Sequence, residues 1–236
     1  MSDTAELELL EDDASSARMG RMGSRVFDSI RQAIVQLRLR PGNLLSEADV
    51  ARQLGVSRQP VREAFIKLAE VGLVEVKPQR GTFVKLISIR QVQNVRFIRE
   101  AIEVAVVRKA ALEASPKRLD EFRGLIDAQR EAERRGDHME FLRLDEAFHQ
   151  ALAHSVDTDY AWRVLENLKA QMDRVRHLSM PDATPIDVLI GQHAAIIDAI
   201  ARHAPDEAEA ATRTHLSEIL LSLPRLAQAH PELFAD

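Results

Sequence analysis

Cysteine is absent from all 236 residues, so disulfides and thiolate metal sites are excluded, and a reducing cytoplasm is the expected location. Aromatic residues are scarce at 4%, with one tryptophan and one tyrosine, which favours helices packed through alanine and leucine over a large sheet. No apolar run approaches the roughly 20 residues needed to cross a bilayer. The first residues are acidic instead of basic-then-apolar, so neither export nor a membrane partner is expected.

Positive charge is also short overall. The net charge of -5 argues against a nucleic-acid partner until it is divided by segment. Residues 1–23 hold two basic and six acidic side chains, residues 24–88 eleven and six, and residues 89–236 nineteen and twenty-five. The excess of positive charge therefore lies entirely in 24–88, where phosphate contact would be made. Residues 1–23 lack sustained periodicity, and MGRMG should break any helix begun by LELLEDD, so a disordered acidic tail is expected there.

The basic segment contains LSEADVARQLGVSRQPVREAFIKLAEVGLV, residues 45–74. Ser46 with Asp49 three residues later is a capping-box-like start, Leu45 and Val50 form a hydrophobic staple, and Gly55 supplies a left-handed helix end. Ser57 then stands as cap for a second helix with Pro60 in its first turn. Val61, Phe65, Leu68 and Ala69 make the buried stripe of that helix. Arg58, Gln59 and Arg62 project from its exposed N-terminal end, the end a recognition helix inserts into a major groove. Arginine pairs bidentately with guanine and glutamine with adenine. Two short apolar runs, Leu73–Val76 and Thr82–Leu86, flank Lys77-Pro78-Gln79-Arg80-Gly81 and predict a hairpin with a basic tip. A support helix from Ser24 to about Arg38 precedes them. The plain alternative is a helical hairpin with solvated charges. Cap, glycine, wing and arginine positions together weigh against it.

Residues 25–85 resemble the DNA-binding domain of the GntR family of bacterial transcription regulators, through LSEADVARQLGVSRQPVREAF and GLVEVKPQRGTFV. The resemblance implies that Ser57, Arg58, Gln59 and Arg62, with Arg80 at the wing tip, contact operator DNA. Ala48 departs from the pattern: some members of the fatty-acid-responsive branch carry a further DNA-contacting arginine there.

From about Ser88 the pattern becomes long amphipathic helices, near 89–113, 117–135, 138–155, 158–179, 185–203 and 206–222, with room for a short seventh. Breaks at Ser115-Pro116, Gly136, Asp157, Pro181–Pro185 and Pro205 leave short loops. The expected fold is therefore mainly α, a winged helix-turn-helix over 24–88 followed by an all-α antiparallel bundle of six or seven helices over 89–236.

Three bundle helices turn polar groups inward. Asp145 and His149, four residues apart, share a face with Phe141, Phe148 and Leu152; His193 lies in a stripe with Leu189, Ile196 and Ile200; His215 lies with Ala208, Thr212 and Ile219. Each alone reads as an ordinary hydrogen-bonded core residue. Together they form one carboxylate and three imidazoles, a donor set for a divalent cation with a position left for water or a ligand. Arg99 interrupts the stripe Val92, Val95, Ile102, Val106 and is suited to gripping a carboxylate inside the bundle. Asn167 and Arg174 share one face of the expected 158–179 helix and are further candidates for ligand contact. A structural salt bridge explains Arg174 equally well.

LDEAFHQALA, GQHAAIIDAI and THLSEIL are similar to the ligand-bearing segments of the effector domain called FCD, found behind the winged helix in one GntR branch. That similarity implies a metal, often zinc, held by Asp145, His149, His193 and His215 at the floor of a pocket for small carboxylic acids, with Arg99 meeting the acid. Nickel and manganese suit the same donors.

The leading expectation is a homodimeric regulator, usually a repressor in this family, that reads palindromic operator half-sites and responds to an organic or sugar acid bound at the metal. Two alternatives use the same residues. A metallohydrolase with a DNA-binding appendage would need a general base beside the metal, and Glu146 points about 100° away around its helix. In a direct metal sensor the cation itself would be the signal.

Overall fold

The computed structural model describes residues 7–9, 18–179 and 184–235. Capping sets the first elements. Ser46 Oγ accepts from the Asp49 backbone N–H at 3.3 Å and starts α2 (Glu47–Gln53), which ends at Leu54 before Gly55 turns at a φ of 64°. Ser57 is the N-cap of α3 (Arg58–Glu70) by position, without a side-chain hydrogen bond, and Pro60 lies in the first turn. Val61, Ala64, Phe65 and Leu68 are buried against α1 (Arg18–Val35). The α1 residues Val26, Ile30, Ala33 and Ile34 complete that core.

Strands β2 (Val74–Lys77) and β3 (Gly81–Val84) form the antiparallel wing hairpin, paired from Val74 with Val84 to Lys77 with Gly81. A two-residue strand β1 (Leu44–Leu45) joins the other edge of β3. β4 (Ile87–Ser88) pairs in parallel with β5 (Phe234–Ala235).

The helices after the wing are α4 (Ile89–Glu113), α5 (Pro116–Arg134), α6 (His138–His154), α7 (Asp159–Leu168), α8 (Ala170–Ser179), α9 (Ile186–Ala201) and α10 (Pro205–Ala229), then a short 3-10 turn at Pro231–Leu233. Seven α-helices therefore follow the wing among the described residues, where six or seven were expected. Ser115 and Asp137 cap α5 and α6 with their side chains. One core contains Phe122, Phe141, Phe148, Trp162, Ile196 and Ile200.

Two expectations are corrected. First, the support helix α1 begins at Arg18 instead of Ser24, with MGRMG inside it. Each mid-helix glycine costs about 1 kcal/mol, and burial of the α1 face outweighs that; Leu7, in the expected tail, is also buried, its N–H donating to Gln53 Oε1 at 3.2 Å. Residues 1–6 and 10–17 of that tail fall outside the described residues. Second, the expected 158–179 helix is two helices parted at Lys169. By compactness the chain forms two units that do not follow sequence order: residues up to Val92 with 170–178 and 226 onward, and residues 93–169 with 179–225. Helix α8 thus belongs with the winged unit, where Gln171 Nε2 donates to the Gly72 carbonyl at 2.9 Å.

Gly81 closes the wing at a φ of 108°, and an added Cβ would lie 2.7 Å from Leu44 Cδ1. Leu44 is exposed and able to move, so the backbone conformation dominates the cost. Gly81→Ala is expected to lower stability by roughly 1–3 kcal/mol. Urea unfolding checks this, and an unchanged midpoint would refute the strain at this turn.

Candidate functional site

The amino end of α3 presents Arg58, Gln59 and Arg62 to solvent, with Ser57 exposed just before it. Arg58 lies 3.0 Å from Glu47 Oε2 of α2, and Gln59 Nε2 donates to Glu63 Oε1 at 2.9 Å. Arg80 is exposed at the wing tip, after Gln79 with a φ of 60°. Lys77 stacks over the Phe83 ring at 5.3 Å. All five expected DNA-facing residues are therefore open to solvent on one unit, and three of them follow one another at the start of α3.

The second cluster is buried. Helix α6 turns Asp145 and His149 inward, α9 turns His193 and α10 turns His215, and one ligand-type atom from each lies within 4.8 Å of the other three. The Nε2 atoms of His149 and His193 each lie 3.2 Å from His215 Nε2. Asp145 Oδ2 and Oδ1 lie 3.8 and 3.6 Å from His149 Nε2 and His193 Nε2. Four donors bound tetrahedrally at zinc's usual distances would stand roughly 3.4 Å apart.

The outer nitrogens of the three rings decide what this cluster can do. His193 Nδ1 faces Gln129 Oε1 at 2.9 Å, and Gln129 is oriented by its own Nε2, which donates to the Leu144 carbonyl at 3.2 Å. His215 Nδ1 faces Gln192 Oε1 at 3.1 Å, and Gln192 Nε2 donates to Glu218 Oε1 at 2.6 Å. His149 Nδ1 lies 2.8 Å from Glu103 Oε2, in a bent approach. Nδ1 of His193 and of His215 each meet a glutamine oxygen, and a ring proton placed there would turn the Nε2 lone pair towards the Asp145 carboxylate and the other rings. Burial first, then His193 and His149, pushes the pKa of His215 well below the usual histidine range, which keeps its ring neutral. Such a donor set fits a divalent cation, and outer acceptors that fix the tautomer are what metal-bound histidines ordinarily have.

Comparison with known proteins gives the family. Residues 22–84 match the bacterial regulatory proteins of the gntR family, and residues 94–218 match the FCD domain. The chain belongs to the GntR family. It is a DNA-binding transcriptional regulator. The repressor RspR of Escherichia coli strain K12 is 40% identical over 215 residues, covering 91% of this chain and 94% of that protein. The solved structure of E. coli McbR/YncC has a TM-score of 0.74 at 22% identity, covering 89% of this chain and 98% of that one. A GntR transcriptional regulator from Rhodococcus sp. RHA1 has a TM-score of 0.70 at 26% identity, covering 89% and 99%. The relatives are regulators, not enzymes.

The three outer acceptors of this GntR regulator were not singled out in its sequence. Glu103 had a signal, since it stands one helical turn after Arg99. Gln129 and Gln192 had none, because glutamines on bundle helices are ordinarily solvated. Arg99 is buried near the cluster, but its guanidinium is bonded to Glu103. Burial alone would raise the Glu103 pKa; Arg99 and His149 overcome it and hold the carboxyl down to about 2.

The other two candidates for ligand contact lie elsewhere. Asn167 is exposed on α7, where its amide donates to the Arg163 carbonyl at 2.9 Å. Arg174 is buried on α8 in the winged unit, bonded to Gln171 Oε1 at 3.0 Å and the Lys85 carbonyl at 2.8 Å. The break at Lys169 removes the shared face that linked them. Burial lowers the Arg174 pKa to about 10, and no carboxylate bonds to it among the described residues.

Removing Glu103 would strand the Arg99 guanidinium in the core. Glu103→Ala is expected to cost roughly 3–5 kcal/mol, the penalty for breaking a buried pair from one side. Chemical denaturation with an unchanged slope checks it, and a loss below about 1 kcal/mol would show that water reaches Arg99 instead.

Proposed function

We propose that this GntR regulator is a metal-containing repressor released by a small organic or sugar acid. It acts in the cytoplasm as a homodimer on palindromic operator DNA. The observation that carries the reading is the convergence of three Nε2 lone pairs and the Asp145 carboxylate in a buried core. Asp145, His149, His193 and His215 would hold a divalent cation, zinc first and nickel or manganese next, which when bound supplies an open position for an acid carboxylate.

The remaining roles fall to the chain itself. Gln129, Gln192 and Glu103 hold the imidazoles in the ligating tautomer. Ile102, Val106, Leu152 and Trp162 line a cavity of about 10 Å³ beside His149 and Glu103 and keep bulk water from it. Ser57, Arg58, Gln59, Arg62 and Arg80 would make the DNA contacts, with the arginines and Gln59 reading base edges. On α4, exposed Phe97, Ala101, Ala105 and Leu112 make an apolar stripe suited to a second copy. The relative named as a repressor, RspR, supports repression over activation.

One other reading keeps the same residues: the cation itself is the signal. Glu146, the carboxylate next to Asp145, is paired with Lys169 at 2.9 Å and does not serve as a base beside the cluster.

The test uses a duplex selected by the wild-type protein from a random library. Zinc without acid should leave DNA bound, and acid added to zinc-loaded protein should release it; release by zinc alone would favour the sensor. Arg62→Ala should weaken binding at one base position by roughly 1–3 kcal/mol while the fold persists. Wild-type affinity would remove Arg62 from the reading set. His149→Ala should lose the ion and abolish the rise in Tm that zinc gives the wild type, since a ligand of the native state stabilises by mass action. A wild-type protein whose Tm ignores zinc, nickel and manganese would end the metal reading.

A further inference from the structure

The class of acid follows from a charge count around the cluster, and the inference rests on the acid-binding reading above. Among the described residues of the bundle unit, two basic side chains are buried, Arg99 and Lys169. Lys169 is engaged by Glu146 at 2.9 Å. Arg99 is engaged by Glu103, whose second carboxylate oxygen lies 2.8 Å from His149 Nδ1. Glu103 is therefore clamped from both sides, by a guanidinium and by a ring whose other nitrogen points at the cation site.

A divalent cation with Asp145 and three neutral imidazoles carries one net positive charge, and the Arg99–Glu103 pair adds none. One carboxylate brings the centre to neutrality. A second, on a ligand small enough for this core, would meet Glu103, with no buried cation released to receive it. Arg99 reaches a second carboxylate only by abandoning Glu103, which would leave that carboxylate buried against His149 alone. We propose that the effector is a monocarboxylate, and that Glu103 is the residue that excludes dicarboxylates by keeping Arg99 occupied.

Isothermal titration of zinc-loaded, full-length protein with matched acids tests this. Lactate is compared with tartronate, in which a carboxylate replaces the methyl group, and gluconate with glucarate. The monocarboxylate of at least one pair is expected to bind on the order of 100-fold tighter, the scale of one buried like-charge encounter. Glu103→Gln keeps an acceptor for His149 Nδ1 but frees Arg99, and should reverse the preference within that pair while zinc content stays unchanged. Preference of the wild type for tartronate or glucarate overturns the inference and leaves the acid reading standing. A ratio unmoved by Glu103→Gln removes Glu103 as its cause and overturns the proposal. Failure of all four acids to bind overturns the acid reading and the inference together. If the Gln variant does not fold, the wild-type comparison decides alone.

Discussion

Like dipoles aimed at one point repel, and inside a protein no water screens them. The His149, His193 and His215 Nε2 atoms and the Asp145 carboxylate converge on such a point, with Nε2 atoms as close as 3.2 Å. On its far side each ring faces an acceptor oxygen, from Glu103, Gln129 or Gln192. Those acceptors come from α4, α5 and α9, whereas the inward groups come from α6, α9 and α10. One centre therefore ties the register of five helices together. A sliding helix would lose either a ligand or the partner that sets a ligand's tautomer, a specificity that an all-apolar core of the same volume would lack.

Local rules made half of this legible. An Asp and a His four residues apart on one face, or a Ser followed by Pro60 at a helix start, are decided by the pitch of a single helix, and the sequence states that pitch directly. The winged fold is legible for the same reason, since caps, Gly55 and the hairpin tip are each set within a few residues. The resemblance to the GntR and FCD segments added the joining of the pieces. Helix-to-helix pairing is different. That Gln129 should face His193, 64 residues later, depends on how two helices meet, and nothing in the spacing of either encodes it.

The break at Lys169 shows the same limit from the other side. Trp162 and Leu165 belong to the bundle core, whereas Ala170 belongs to the core of the winged unit. Amphipathic periodicity over 158–179 is real in each half, but it serves two different interiors. A single helix would have to present both stripes to one of them. Periodicity reports that a face is buried, never against what. Glycine at 20 and 23 misled in a related way: intrinsic propensity costs about 1 kcal/mol per site, and the buried face of α1 exceeds it.

Arginine is where the distinction matters most for function. Arg99 interrupts an apolar stripe and Arg174 shares a helical face with Asn167, so spacing makes both candidates for ligand contact, with a structural salt bridge equally open to Arg174. The structure satisfies them by opposite means. Arg99 holds a carboxylate, Glu103, so its charge is cancelled and its geometry is fixed by a partner that also serves the cluster. Arg174, fully buried, holds the oxygens of Lys85 and Gln171 and no carboxylate among the described residues, and its burial drives its pKa down to about 10. A guanidinium bonded to uncharged oxygens retains its field, and here it is spent joining α8 to the end of the wing. A guanidinium bonded to a carboxylate has lost most of its attraction for a second anion. An inward arginine is evidence for an anionic ligand only after its own neighbours have been counted, and in the FCD core that count finds Arg99 already paired with Glu103.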